Sequence, residues 1–236
     1  MTAICIFYEV YKENAYILSK QLKIPILKEL KAYETIICFG AAGCPKILLD
    51  FQMRNKVDYV ILNGENLTSD FFSDSERGKQ YKFLCKKNQT WQYSPYTADV
   101  LDQQYGIKCA GIYDWEFIKR IPLPSTIDIL FYGFKDPNRE MIEAQLKHDL
   151  PQLNIKFAYN TYNDELIDLL LTSKYVLNIP HYEKSALETH RINQALACGC
   201  KVISKKSSCD FLNAKYASKI TFIDDWSDLA DIIELP

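Results

Sequence analysis

The stretch LNIPHYEKSALETHRINQALACGCKVIS, residues 177–204, contains two apolar runs on either side of a segment with helical spacing. It predicts a strand over Tyr175–Ile179, a helix over Leu187–Cys198 that ends at Gly199, and a strand over Lys201–Ser204. Strands joined through a helix pair in parallel, because only a crossover lets the chain re-enter a sheet in the same direction. The stretch therefore predicts a β-α-β unit of a parallel sheet.

The same alternation runs through both halves of the chain. In the first half it predicts strands over Ala3–Tyr8, Thr35–Phe39 and Val57–Leu62, short strands and turns around Trp91–Tyr96, and helices over Ala15–Leu22, Pro45–Gln52, Glu76–Lys87 and Thr97–Tyr105. In the second half it adds strands over Ile127–Tyr132, Ile155–Tyr159 and Ile220–Ile223, and helices over Arg139–Lys147, Asp164–Leu171 and Ser227–Leu235. Pro122 and Pro124 interrupt helix and central strand alike, so we expect two domains, 1–124 and 125–236. The predicted fold class is α/β, with two Rossmann-like doubly wound domains facing a cleft.

Charge and composition exclude several classes of protein. The 236 residues carry 28 Lys and Arg against 30 Asp and Glu, a net charge of −2, so no basic field draws the chain to nucleic acid. With 48% hydrophobic residues the chain can bury a core, which excludes a disordered or fibrous protein. No apolar run reaches the ~20 residues of a membrane helix, so we expect a soluble protein without a transmembrane segment.

The eight cysteines are predicted to be reduced. Cys5, Cys38, Cys198 and Cys200 lie in apolar segments, where a free thiol behaves as a small hydrophobic group. Cys198 and Cys200 are too close together for a two-residue zinc knuckle, and the three histidines show no paired ligand spacing. We therefore expect a reducing compartment and no metal site.

The loop and the helix that follow Ile179 form the first candidate site. A helix that begins near Ala186 would turn backbone N–H groups and the positive end of its dipole toward the carboxyl edge of the sheet. That edge suits a diphosphate, and Arg191 adds a planar cation to it. Two structural explanations compete, because Ser185 with Glu188 fits a capping box and Glu188 with Arg191 fits a helix-surface ion pair.

Gly133 and Arg139, in GFKDPNR at residues 133–139, form the second candidate. A glycine at the end of a strand lets backbone approach a ligand, and the arginine places a cation at the start of the next helix. A loop glycine and a solvated arginine would explain the same residues without a function. His181 is a candidate contact to phosphate or sugar, or else an exposed loop histidine.

Glu65 is the candidate catalytic base. It follows the third predicted strand directly, and a carboxylate at the carboxyl end of a strand can accept a proton from a hydroxyl group. Turn chemistry explains the neighbouring Asn63 and Gly64 without a function.

These segments resemble GT-B-type glycosyltransferases, particularly a group of small bacterial and giant-virus enzymes. The group has the pattern LNIHYYE…LE…RI.EAL..G..V.SE where this chain has residues 177–204, and DILFYGFKDPNRE precedes that run here. YVILNGENL and WQYS fall where the group has a strand ending in a Gln-x-Glu pair and a Trp-Asp-Tyr-Ser run. The positions that match the first pattern are Leu177, Asn178, Ile179, Tyr182, Glu183, Leu187, Glu188, Arg191, Ile192, Ala195, Leu196, Gly199, Val202 and Ser204.

The resemblance implies transfer of a sugar from a nucleotide-sugar donor to an acceptor hydroxyl of a glycan or glycoconjugate. It implies a donor domain in the second half and an acceptor side in the first, with no metal and no cofactor besides the donor, which is a substrate. Arg191 would stabilise the leaving diphosphate and Glu65 would take the acceptor proton. The implied donor-binding residues are Gly133, Arg139, His181, Tyr182, Ser185, Glu188 and Gln194.

Departures from the group's pattern keep two alternatives open. Gln194 stands where many members carry a Glu that holds the donor ribose, and Lys205 stands where the group has an acid. One alternative is a non-catalytic nucleotide-binding or sugar-binding module, and the other is a nucleotide-sugar epimerase of the same shape. The expected location is the cytoplasm, or the host cytoplasm if the protein is viral.

Overall fold

The computed structural model describes residues 1–31, 33–64, 72–181 and 185–233. The chain divides into two compact units, Met1–Phe117 and Ile118–Pro236, which we call the first and second units.

The first unit is built on a six-stranded parallel sheet. Its strands are β1 (Thr2–Ile6), β2 (Ile26–Leu27), β3 (Thr35–Phe39), β4 (Asp58–Asn63), β5 (Gln89–Gln92) and β6 (Cys109–Ile112). Its helices are α1 (Lys12–Leu22), α2 (Pro45–Arg54), α3 (Glu76–Lys87) and α4 (Pro95–Tyr105). The strand order β2-β1-β3-β4-β5-β6 reverses between β1 and β3, as in doubly wound sheets.

Alternation along the strands separates two faces of this sheet. Ile36 and Cys38 point into the main core, which α2, α3 and α4 cover through Leu48, Tyr81, Leu84 and Leu101. Ile37 and Phe39 point to the opposite face, along which α1 lies.

The second unit repeats this design with a five-stranded parallel sheet. Its strands are β7 (Ile127–Gly133), β8 (Ile155–Tyr159), β9 (Ser173–Asn178), β10 (Lys201–Lys205) and β11 (Thr221–Ile223). Its helices are α5 (Pro137–Asp149), α6 (Asn163–Leu171), α7 (Thr189–Ala197), α8 (Asp210–Tyr216) and α9 (Leu229–Ile232). The order is β11-β10-β9-β7-β8, so the direction of winding reverses between β7 and β9. The predicted α/β class, with two doubly wound parallel sheets, is confirmed.

The segment from Ile118 to Pro124 packs with the second unit. Arg120 donates its backbone N–H to the carbonyl of Ala197 at 2.7 Å, and Pro122 lies against Gly199, the left-handed residue that ends α7. The sequence placed the division after Pro124, whereas the compact units divide after Phe117. The units divide before the prolines because these contacts join the segment from Ile118 to Pro124 to the second unit. The positions of the prolines in the sequence do not reveal such contacts.

Candidate functional site

The carboxyl ends of β7 and β9 carry most of the candidate residues. These two strands are neighbours at the point where the sheet reverses its winding. In open α/β sheets the loops that follow such a pair of strands diverge and leave a crevice. We call the side chains around this point the switch-point cluster, which comprises Gly133, Asp136, Arg139, Asn178, His181, Glu188 and Arg191.

Arg139 ties together the two loops that leave β7 and β9. Its side chain is buried, and its Nη1 and Nη2 each donate at 2.8 Å, to the carbonyl oxygens of Phe134 and Ile179. Burial, and next the charge of Arg191, lower the pKa of this guanidinium. The alternative of a solvated Arg139 is therefore wrong, because its side chain is buried and donates hydrogen bonds to backbone carbonyls.

Arg191 lies in the first turn of α7 and reaches across β9. Its Nη1 donates to Asn178 Oδ1 at 3.0 Å and to the Ile179 carbonyl at 3.2 Å, and it forms an ion pair with Glu188. Only 12% of the Arg191 side chain is exposed. The ion pair with Glu188 is therefore largely buried and differs from a solvated pair on a helix surface. Arg191 is held in one position at the rim of the crevice.

Gly133 makes room for both guanidinium groups. Its φ is +152°, and a Cβ at this position would lie 2.9 Å from Arg191 Nη2 and 3.6 Å from Arg139 Nη1. The glycine therefore permits the close approach of Arg191 to the end of β7.

Asp136 and His181 form a second pair in the cluster. Asp136 caps α5 by accepting the Arg139 backbone N–H at 3.0 Å, and its other oxygen lies 2.8 Å from His181 Nδ1. Burial alone would raise the pKa of the Asp136 carboxyl, but these hydrogen bonds and the Arg139 charge hold it below its ordinary value. His181 is therefore anchored at one ring nitrogen.

Glu188 contacts both arginines of the cluster and the backbone of His181. Its Oε2 pairs with Arg191, and its Oε1 lies 3.7 Å from Arg139 Nη2 and 3.4 Å from the backbone nitrogen of His181. The predicted capping box is wrong, because α7 begins at Thr189 and Glu188 occupies the N-cap position with its side chain turned to the arginines. Ser185 lies before the helix and is buried.

Gln194 is a buried residue of α7 and faces Tyr132 of β7. Its Oε1 accepts the Tyr132 hydroxyl at 3.2 Å, and the same hydroxyl donates to the Arg191 carbonyl at 2.9 Å. Gln194 thus fixes the helix that carries Arg191. Two predicted site residues, Glu65 and Tyr182, lie outside the described residues.

Asp136 and Asn178 are the site residues that sequence reasoning missed as functional. Asp136 precedes Pro137, and an Asp-Pro pair at the start of a helix signals an N-cap. Asn178 ends a buried strand, and its Nδ2 also donates to Ser204 Oγ at 3.0 Å. The sequence contained one indication of a role for Asn178, because it is a polar residue inside an apolar run.

The described side chains and helices also bear on metal binding and membrane insertion. Among residues 1–31, 33–64, 72–181 and 185–233, no group of three or more His, Cys, Asp or Glu side chains has an arrangement suited to a metal ion. Within the same ranges, no helix has the length and apolar character needed to cross a membrane.

The comparisons with known proteins rest on structure, since no protein-family model and no curated protein matches the sequence. A glycosyltransferase from Rickettsia africae ESF-5 aligns over 98% of this chain and 86% of its own, at 10% identity and a TM-score of 0.55. TarM aligns over 92% of this chain at 12% identity and a TM-score of 0.54, and the chain spans about half (49%) of TarM's length. An α1,3-fucosyltransferase with GDP-fucose aligns over 99% of this chain and 77% of its own, at 11% identity, but its TM-score of 0.45 is too low to support an argument.

At such identities the first two likenesses concern the fold alone. The chain has the two-sheet α/β fold of GT-B-type glycosyltransferases, as the resemblance implied.

Proposed function

We propose that the protein transfers a sugar from a nucleotide-sugar donor to an acceptor hydroxyl, and that the switch-point cluster binds the donor diphosphate. The observation that carries this proposal is the position of Arg191. Its guanidinium lies at the carboxyl ends of β7 and β9 and is oriented by Asn178 and the Ile179 carbonyl. Ligands of open α/β sheets bind at this point, and a planar guanidinium suits phosphate oxygens.

Glu188 acts as the exchangeable anion of the site. The two arginines face two carboxylates, but Asp136 is engaged by His181 and the α5 amide and is the less exposed of the two, at 11% against 23% for Glu188. A diphosphate therefore takes the place of Glu188 beside Arg191. The displaced carboxylate is then free to accept hydrogen bonds from donor hydroxyls.

The remaining roles follow from this placement. Arg139 supplies positive charge from behind the loops, Gly133 leaves space, and His181 contacts phosphate or sugar. Since charge on a leaving diphosphate can be stabilised by arginine and backbone amides, the proposed reaction needs no divalent metal. Tyr182, Ser185 and Gln194 remain predictions for the donor side, and Glu65 remains the predicted base.

A thermal-shift screen tests the donor proposal. Nucleoside diphosphates and nucleotide sugars, added with a chelator, should raise the melting temperature, because a ligand at a hundred times its Kd adds about 2.7 kcal/mol to stability. Arg191→Ala should abolish the shift, and Arg54→Ala is the matched control. Arg54 carries the same charge but is bonded within α2, to the carbonyl of Asp50. Stabilisation that requires manganese would contradict the proposal.

The internal packing of Gln194 favours a second candidate, a nucleotide-binding module without turnover. The residue is 8% exposed and its side-chain oxygen is engaged by Tyr132, so as placed it offers little to a donor ribose. Slow hydrolysis of the bound nucleotide sugar distinguishes the two candidates. An active transferase hydrolyses its donor when the acceptor is absent, whereas a binding module releases it intact.

A further inference from the structure

The first unit contains a cavity of about 400 Å³ that the proposed function does not use. Its floor is formed by two rows of residues across β3, β4 and β5, on the sheet face opposite the main core. The strand register pairs the members of these rows, which are Ile37, Val60 and Gln89, and Phe39, Leu62 and Trp91. Ile17, Leu18 and Leu22 of α1 form one wall.

The segment 113–116 closes one end of the cavity and is firmly fixed. Trp115 stacks on Tyr11 with ring centroids 5.0 Å apart and meets Tyr113 edge to face at 4.9 Å. Asn14 Nδ2 donates to the Glu116 carbonyl at 2.6 Å, which joins the segment to α1. The cavity is therefore preformed, and its volume falls within the roughly 300–1,000 Å³ of small-molecule sites.

The charge around the cavity has one sign. Its described lining includes two acidic residues, Asp114 and Glu116, both exposed at the rim, and no Lys or Arg. Gln21 Nε2 donates to Glu116 Oε2 at 2.8 Å on the same rim. An anionic head group would meet repulsion here, so the lining favours a neutral ligand.

Trp91 adds a specific polar requirement. Its ring lies on Gly111, where a Cβ would come within 2.6 Å of it, so the indole is confined in place. The Trp91 Nε1 is buried and has no hydrogen-bond partner among the described residues. A buried donor without a partner is costly, and an oxygen atom of a ligand would satisfy it.

We infer that this cavity binds a neutral amphiphile with an aliphatic chain and one hydroxyl or carbonyl oxygen. The chain fills the space between α1 and the two rows of the floor, and the oxygen accepts the Trp91 Nε1–H. The site is independent of the switch-point cluster, so it stands or falls separately from sugar transfer.

Isothermal titration of the full chain with decanol tests the inference, with decanoate as the anionic counterpart. Decanol should bind saturably at one site, and decanoate should bind at least about tenfold more weakly because of the acidic rim. Val60→Phe, which fills the cavity from its floor, should weaken decanol binding about tenfold or more. Trp91→Phe removes the N–H but keeps an aromatic ring, and should weaken it about two- to tenfold.

Phe83→Ser is the control, because Phe83 is an exposed apolar residue of α3 outside the cavity, and its loss should leave decanol binding unchanged. If Val60→Phe does not unfold cooperatively, Leu18→Trp fills the same space from α1. Binding that does not saturate, or that survives both cavity-filling variants, would overturn the inference. A second result would also overturn the inference: the protein is a dimer that binds no decanol, and Val60→Phe dissociates it. The face would then be an interface between two copies of the chain.

Discussion

The guanidinium groups of Arg139 and Arg191 share one aromatic ring, lying 5.0 and 5.3 Å from the centroid of Phe131. Two like charges at one buried ring repel each other, and the fold offsets this with the ring itself and with the Glu188 and Asp136 carboxylates. Only Arg191 retains some exposure, so the pair has a buried supporting member and a member that can contact a ligand.

Replacement of Arg191 should reduce turnover strongly while the protein still folds. Arg191→Ala should lower the transfer or donor-hydrolysis rate by about two orders of magnitude, or roughly 3 kcal/mol, because contacts to a leaving diphosphate strengthen in the transition state. Arg191→Lys should recover only part of the rate, since a point charge does not replace a planar fork. Rates and melting temperatures measured on the same samples give both quantities.

A stability loss is also expected in Arg191→Ala. The variant loses two hydrogen bonds and leaves Glu188 without its closest cation, which should cost about 2 kcal/mol. The double variant Glu188→Gln with Arg191→Ala should restore part of this stability but none of the rate. Full activity in Arg191→Ala would end its assignment to catalysis.

Gly133→Ala should disturb the site through a single methyl group. The new Cβ would lie 2.9 Å from Arg191 Nη2, so we expect a loss of about 2–4 kcal/mol in the free energy of unfolding and weaker binding of nucleoside diphosphate. Gly106→Ala is the matched control, with a φ of +61° and no atom within 4 Å of the new Cβ. It should cost about 1 kcal/mol and leave binding intact. Equal effects of the two variants on binding would refute the steric argument.

Periodicity predicts most of the fold because long amphipathic elements carry a strong signal. The strands Thr35–Phe39 and Ile155–Tyr159 and the helix Glu76–Lys87 have the bounds that the sequence predicts. The sequence missed β2 and β6, which lie at the two edges of their sheet and have two and four residues. Segments this short contain too few alternations to register as strands.

The candidate site was predicted in part. Arg191, Arg139, Glu188, His181 and Gly133 come together at one sheet edge, as their positions at or after the carboxyl ends of two strands of one predicted parallel sheet implied. The start of α7 could not be inferred, because Ser185 with Glu188 has the spacing of a capping box. Tertiary contacts with the two arginines instead hold Glu188, and only the folded structure brings residues 139 and 188 together.

Asp136 should make stability depend on pH in the acid range. Its folded pKa lies below its unfolded value, so its contribution is present above about pH 4 and is lost as pH falls through the folded pKa. Asp136→Asn keeps an N-cap residue but removes the charge, and should lower the free energy of unfolding by about 1–2 kcal/mol at pH 7.

Urea unfolding from pH 7 to pH 2.5 checks this, with Asp99→Asn on the exposed face of α4 as the control. The difference between wild type and Asp136→Asn should shrink as pH falls below about 4. A difference that stays constant with pH would show that the charge of Asp136 has no part in stability.

The cysteines should react slowly in the folded protein. All eight are free, and burial raises the pKa of Cys44 and Cys200 to about 12 and that of Cys109 to about 11. Since the thiolate is the reactive form, labelling at pH 8 should be slower in the native state than in denaturant by about two orders of magnitude for Cys109 and about three for Cys44 and Cys200. Denaturant should release all eight thiols, which a chromogenic disulfide reagent counts. Rapid native labelling of one of these three would contradict their placement.

A crystal structure of the full chain with the nucleoside diphosphate that gives the largest thermal shift tests the central claim most directly. The account predicts the diphosphate at the carboxyl ends of β7 and β9, hydrogen-bonded to Arg191, with Glu188 moved from the guanidinium. In the first unit the corresponding edge, between β1 and β3, holds the Tyr8 ring against Gly40 and Gly43. A nucleotide bound at that edge, with Arg191 still paired to Glu188, would contradict the account.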